Sequence, residues 1–260
     1  MALEDIRDIE GWLRGVLPDI LKKQNVEADT DNIIVSGGSA GALLSAFTPK
    51  LWTTPPKALL LIYGPTDMTT IINFGKRPLA GGRLSHIQFP DDASPELIEG
   101  AIRNPPPTQI PTPTSAEDFL SPRSFLGILL FKKNIVSEFL LRGFIEGKDG
   151  VKRLPEKGSV PEDEIKAISP MYFPDSLFVK SDSQASPKWP PTYQYVGSMD
   201  EAFDESHIMR FDEKLKSNGI PSKAVVVEGK SHGFDGEAEI GDQIHNEVIR
   251  PAAEWVIQWV

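Results

Sequence analysis

Residues 33–44 read Ile-Ile-Val-Ser-Gly-Gly-Ser-Ala-Gly-Ala-Leu-Leu, and this stretch decides the fold. Ile33 to Ser36 is an apolar, β-branched run of strand type, and Ala40 to Leu44 is an apolar run of helix type. Gly37-Gly38-Ser39-Ala40-Gly41 joins them in the spacing Gly-x-Ser-x-Gly. A strand that turns directly into a helix reverses within a residue or two, which puts Ser39 at the apex with its hydroxyl pushed outward. Gly37 and Gly41, two positions to either side, are expected to keep Cβ atoms out of that turn. Such a serine is poised to be a nucleophile, but the pentapeptide also fits an ordinary strand–helix turn, so its partners must decide.

Working outward, the other strands follow the same style. Ala58–Tyr63 (ALLLIY) is closed by Gly64-Pro65, Tyr193–Val196 (YQYV) follows Pro190-Pro191, and Ala224–Val227 (AVVV) lies between Pro221 and Gly229. With Asn32–Ser36, these continuous β-rich runs alternate with helical patterns and predict an α/β fold, a mostly parallel sheet covered on both faces. Ser206–Ser217 is the amphipathic helix between the last two strands, stopped by Asn218-Gly219, and Val248–Val260 forms a terminal helix. Leu3, Ile6, Ile9, Leu13, Val16 and Leu17 fall at helical spacing, so the sequence opens in an amphipathic helix.

Residues 73–170 differ in character. They hold a proline-rich loop (Asn104-Pro105-Pro106-Pro107, then Pro111 and Pro113), an apolar helical segment at Phe125–Phe144 and a charged, breaker-rich tract from Glu146 to Glu164. We read them as a helical insertion in one domain spanning 1–260, whose core is 1–72 and 171–260. The insertion would line a substrate pocket or simply pack on the core.

A chain of 260 residues that is 40% hydrophobic can bury a core of this size. Its net charge of -10 would be repelled by phosphate, which argues against nucleic acid or an anionic membrane as partner. With no cysteine, disulfides, thiolate metal sites and a cysteine nucleophile are excluded. No stretch approaches the ~20 apolar residues of a membrane span. Glu4, Asp5, Arg7, Asp8 and Glu10 interrupt any signal-peptide core, so the expected location is cytoplasmic.

A serine hydroxyl needs a base to take its proton, and the base needs an acid to orient it. Of the four histidines, His86 lies in the insertion, His207 in the amphipathic helix and His245 in the C-terminal helical region. His232 alone follows a strand directly, in Lys230-Ser231-His232-Gly233-Phe234, at the sheet edge where open α/β sheets place their sites. The acid is expected after the preceding strand, in Gly197-Ser198-Met199-Asp200-Glu201. Asp200 is the candidate, with Glu201, Asp204 and Glu205 as rivals. The chain order Ser39, Asp200, His232 is that of α/β-hydrolases.

These motifs resemble the α/β-hydrolase fold and, within it, the hormone-sensitive-lipase-like esterases. The likeness covers Asp29 to Leu44 (DTDNIIVSGGSAGALL), where that family tends to have an aspartate-led strand into GDSAGG. It continues in Ile168-Ser169-Pro170, in Pro190-Pro191-Thr192, in Gly197–Glu205 (GSMDEAFDE) against the family's D-P-L-x-D-E, and in Ser231-His232-Gly233-Phe234. The alignment puts the catalytic aspartate on Asp200 and matches the insertion to the family's cap. Gly38 replaces the usual acidic residue before the nucleophile, and Glu201-Ala202 replaces Pro-Leu after the acid. The family's H-G-G-G oxyanion loop, upstream of the serine, has no counterpart, and Gly81-Gly82 comes too late in the order.

The resemblance implies a serine esterase for small- to medium-chain carboxylic esters, with Ser39 as nucleophile, His232 as base, Asp200 as orienting acid and the Ala40 N–H as one oxyanion donor. It implies no cofactor and no metal. The missing loop suggests an N-terminally shortened member with an unpaired sheet edge, and dimerisation is one way to complete such a site. Two alternatives stand beside this: a catalytically silent relative that acts as a binding module, and an acyltransferase or lactone-forming enzyme using the same triad.

Overall fold

The computed structural model describes residues 2–70, 91–103, 121–179 and 188–260. Helix α1 (Ala2–Gly15) carries Glu4 and Asp5 in its first turn and Arg14 in its last, both favourable to the helix dipole. It and α2 (Leu17–Lys22) precede β1 (Ile34–Gly38), α3 (Ala40–Ala46), α4 (Thr48–Leu51) and β2 (Ala58–Ile62). Leu3 and Ile6 of α1 pack against the core. The Trp52 indole donates to Ile6 O at 2.7 Å, and the Glu10 carboxylate accepts from the N–H groups of Thr53 and Thr54 at 2.7 and 2.8 Å. The opening helix is thereby fastened to the loop that leads into β2.

Next come α5 (Pro95–Arg103), α6 (Pro122–Lys133), α7 (Val136–Arg142), the short strands β3 (Ile145–Glu146) and β4 (Lys152–Arg153), and α8 (Glu162–Ala167). The apolar helical segment expected over 125–144 consists of two helices, α6 and α7. Ser121 caps α6 by accepting from Ser124 N–H at 3.2 Å, Pro122 fills the first turn, and Asn134 ends the helix in the left-handed conformation at φ 54°. The charged tract contains the antiparallel β3–β4 pair, which sequence patterning did not indicate. Residues 71–90 and 104–120, including His86, Gly81-Gly82 and the proline-rich loop, lie outside the described residues.

The chain returns through β5 (Thr192–Gly197), α9 (Ser206–Ser217), β6 (Ser222–Val227) and α10 (Arg250–Ile257). Strands β1, β2, β5 and β6 form one sheet in that order, all neighbours parallel. Among the described residues β1 has a strand on one side only. The faces follow the period of two. Leu59 and Leu61 of β2 pack with Ala42, Leu43 and Ala46 of α3 and Phe211 and Leu215 of α9, while Ala58, Tyr193 and Tyr195 pack with Ala252 and Val256 of α10. Each fully buried side chain of this size contributes about 1.5–3 kcal/mol. Strand β5 is buried along its whole length, as a central strand covered on both faces must be.

The terminal helix departs from its expected regularity. His245–Ile249 form a π turn ahead of α10, with Arg250 N–H donating to His245 O. Pro251 has no N–H and its ring would press on the carbonyl four residues back, so the wider turn accommodates it. No helix among the described residues is long and apolar enough to cross a membrane.

Candidate active site

Ser39 sits between β1 and α3 at φ 55°, ψ −122°, a conformation costly for a residue with a side chain. Its N–H donates to Ile62 O at 2.9 Å, extending the β1–β2 ladder, while its C=O accepts from Ala42 N–H at 3.0 Å inside the helix. One residue therefore belongs to both elements, and the reversal occurs at its own torsions. Gly37 is needed for that closeness: a Cβ there would lie 2.3 Å from Gly41 O and 2.7 Å from Ser45 Oγ. Gly41 does not match the expectation. A Cβ at that position meets nothing within 4 Å, because it points away from the strand.

The loops after β5 and β6 bring the expected partners to Ser39. His232 Nε2 lies 3.0 Å from Ser39 Oγ, and its Nδ1 lies 2.8 Å from Asp200 Oδ2. An ionised carboxylate only accepts, so Nδ1 carries the hydrogen and Nε2 is left to accept from the serine hydroxyl. Asp200 is fully buried, and its Oδ1 accepts from the N–H groups of Ala202 and Phe203, both at 2.8 Å. The Asp200 and His232 loops also meet through backbone. Met199 N–H donates to Lys230 O at 2.9 Å, and Gly197 must be glycine because a Cβ would lie 2.0 Å from Lys230 O.

The rival carboxylates have other duties. Glu201 accepts from the backbone N–H of His232 at 3.1 Å and so braces the loop of the histidine, not its ring. Asp204 accepts from Ser206 N–H at 2.9 Å at the start of α9, and Glu205 is exposed. Ala40 N–H opens the first turn of α3 beside Ser39, where an α-helix has no internal acceptor for it.

His245 is occupied at the π turn, where its Nδ1 accepts from Gly241 N–H at 3.2 Å. His207 is buried under the site. Its Nδ1 accepts from the N–H groups of Thr66 and Asp67 at 3.4 Å, and burial holds the imidazole below its ordinary value. Neighbouring Asp67 is also buried. Burial alone would push its carboxyl up, but hydrogen bonds from Thr69 and Tyr172 and the Arg210 guanidinium hold it down.

A neutral histidine that folding favours makes stability depend on pH. The unfolded chain binds a proton at this imidazole near pH ~6.5 and the folded chain resists it, so stability is full above that value and is lost as pH falls below it. The urea midpoint is expected to drop between about pH 7.5 and about pH 5.5. His207→Asn, which keeps an acceptor without the titration, should flatten that drop, and an unchanged slope would remove His207 as its source.

Sequence reasoning missed Tyr63, Glu201 in its bracing role, and Asp235. Tyr63 follows β2 with φ 38°, and its ring centre stands 4.7 Å from that of His232. Asp235 Oδ2 accepts from the Tyr195 hydroxyl at 2.5 Å. The register pairing Gly38 with Ile62, which brings Tyr63 beside the elbow, is not written in either strand alone.

A parallel sheet, a serine at a strand–helix elbow, and a carboxylate and an imidazole carried after β5 and β6, in the order Ser, Asp, His, define the α/β-hydrolase fold. No family profile matches the chain. Over most of its length it is similar to segments of fungal enzymes. It is 27% identical over 264 residues to a non-reducing polyketide synthase of Acremonium egyptiacum, covering 97% of this chain and 11% of that protein. A second such synthase, from Stereocaulon alpinum, is 27% identical over 269 residues, covering 98% and 9%. The 5-methylorsellinic acid synthase of Aspergillus terreus is 26% identical over 248 residues, covering 86% and 9%. The chain thus spans about a tenth of the length of these curated relatives.

Among solved structures, an esterase of Thermogutta terrifontis is similar at 16% identity and TM-score 0.46, covering 99% of this chain and 66% of the other. A Rhizomucor miehei esterase gives 18% and 0.48, with 99% and 60% covered. The acylaminoacyl peptidase of Pyrococcus horikoshii gives 12% and 0.49, with 100% and 28% covered.

Proposed function

We propose that the chain is a serine hydrolase that cleaves small to medium acyl esters through a covalent Ser39 intermediate. One observation carries this reading: the continuous hydrogen-bonded chain from buried Asp200 through His232 to the hydroxyl of a serine held at φ 55°. His232 Nε2 takes the Ser39 proton as Oγ attacks the substrate carbonyl carbon. The tetrahedral oxyanion is met by the Ala40 N–H, and Asp200 stabilises the imidazolium. As the bond to the leaving group breaks, the imidazolium returns the proton to it. Water, deprotonated by the same Nε2, then attacks the acyl-Ser39 carbonyl, and Oγ recovers its proton as the carboxylic acid departs. None of these steps draws on a cofactor. The motifs shared with hormone-sensitive-lipase-like esterases support the same reading.

A second reading is favoured by the similarity to polyketide synthases over nearly the whole chain. The acyl group would then arrive as a thioester, with a thiol as leaving group, and depart to water, an alcohol or an internal hydroxyl. The steps at Ser39 are unchanged.

The test offers purified protein p-nitrophenyl butyrate and the butyryl thioester of N-acetylcysteamine, with Ser39→Ala as control and mass spectrometry of quenched samples. Acyl-Ser39 from either donor is the expected result, and the ratio of the two kcat/KM values decides between ester and thioester. No adduct and no turnover above the Ser39→Ala background would favour a silent binding module.

A further inference from the structure

Tyr63 packs against the core on the α10 side of the sheet, but its backbone is unusual. It is the only non-glycine residue besides Ser39 that has positive φ next to a strand of the large sheet among the described residues, a strained conformation for a bulky side chain. That conformation carries its ring across the end of β1. A Cβ on Gly38 would lie 3.2 Å from both Cε2 and the hydroxyl oxygen of Tyr63, so the residue before the nucleophile is bare where the ring passes. The ring also meets His232 edge to face, with centres 4.7 Å apart and planes at 64°. Phe203 approaches the same imidazole at 5.7 Å and 66°. Burial, with the charge of the nearby Asp235 carboxylate, pushes the Tyr63 phenol up and keeps it protonated. Tyr195 stands at 6.3 Å and binds the same carboxylate.

We infer that Tyr63 is a positioning residue for His232: its ring, packed against both Gly38 and the imidazole, holds Nε2 toward Ser39. Hydrogen bonds alone do not hold it there. The imidazole makes one bond to Asp200 and one to Ser39, both roughly in its own plane, and neither resists a tilt about the line that joins them. Rings packed at 64° and 66° oppose that tilt. The groups facing His232 are Asp200, Ser39, the Glu201 carboxylate (which accepts from the His232 backbone N–H), Tyr63 and Phe203; those near Tyr63 are His232, Asp235 and Tyr195. Gly38 gains a reason as well, since the sequence departs from an acidic residue there and the ring needs the space.

The inference rests on the hydrolase reading for its kinetics but not for its direct measurement. Tyr63→Leu is expected to lower kcat on p-nitrophenyl butyrate by about 10- to 100-fold with KM within about threefold, as a misoriented base would. Tyr63→Phe, which keeps the ring, should restore kcat to within about threefold of wild type. Gly38→Ala displaces the ring without removing it and should lower kcat as well. Its effect should be non-additive with Tyr63→Leu, since both act through one contact. Unchanged kcat in Tyr63→Leu, a Phe variant as poor as Leu, or additive defects would each overturn the inference. Nitrogen-15 shifts of the His232 ring supply a readout independent of turnover. Wild type and Tyr63→Phe should show the Nδ1–H tautomer, and Tyr63→Leu (or Gly38→Ala, should Leu not fold) a mixture of tautomers. That pattern in a protein that hydrolyses no ester would sink the hydrolase reading while the positioning role stands. A single tautomer in all variants would sink the positioning role.

Discussion

Ser39→Ala is expected to lower kcat by about 10⁴- to 10⁶-fold on whichever acyl donor the wild type accepts, with thermal stability nearly unchanged. The loss is expected to be large because the proposed acyl-enzyme forms on this hydroxyl, the one that His232 Nε2 meets among the described residues. Without it, His232 can at best direct a water at the substrate. Stability is spared because alanine keeps the Cβ, and with it the backbone strain at φ 55°, while His232 is partly exposed and its freed Nε2 can bond to solvent. The change should therefore stay within about 0.5–1 kcal/mol. Steady-state kinetics on both proteins, with intact-mass analysis after a fluorophosphonate probe, check both halves. A variant that labels or turns over like the wild type would show that the elbow serine is not the nucleophile.

The second large effect is at the far end of the hydrogen-bonded chain. Asp200→Asn should lower kcat by about 10⁴-fold while leaving the fold intact. The amide oxygen can keep the two bonds from Ala202 and Phe203, so its NH₂ must face His232 Nδ1. That nitrogen then has to accept, which moves the ring hydrogen to Nε2, where it can no longer take the proton of Ser39. Activity should recover in part as pH rises and hydroxide can substitute for the base. Asp200→Ala makes the contrast. It leaves two backbone N–H groups without their acceptor in a fully buried position, at about 1–3 kcal/mol each, so its activity loss comes with a lower melting temperature. Equal activity of Asp200→Asn and wild type would move the orienting role elsewhere, and Glu201 is the nearest alternative because it already touches the His232 backbone.

Much of this architecture was legible in the chain because it is encoded locally. The runs IIVS, ALLLI, YQYV and AVVV each became a strand of the parallel sheet, buried throughout in β5, mostly in β2 and only partly in β1 and β6. Asp200 and His232, the candidate acid and base, follow their strands within a few residues, so locating the strand ends located them as well. Where the reading failed, the deciding interaction was a backbone detail or a distant contact. Asn134 split an apolar stretch because it adopts the left-handed conformation, and Pro251 widened a helical turn. Of the two glycines flanking Ser39 at two positions' distance, only Gly37 is required for clearance between strand and helix, since α3 descends onto β1 at that point.

The class of fold, the strand–helix elbow at Ser39 and the order of three polar side chains were written locally in the chain, because strand and turn propensities act over a few residues. Only the tertiary structure decided how those side chains meet. The parallel register of β1, β2, β5 and β6 aligns three loops from distant parts of the chain at one edge, and a shift of one residue would turn each side chain to the opposite face. The same register brings Tyr63 against Gly38 and His232, a contact between residues that share no motif and are joined only by the packing of the sheet.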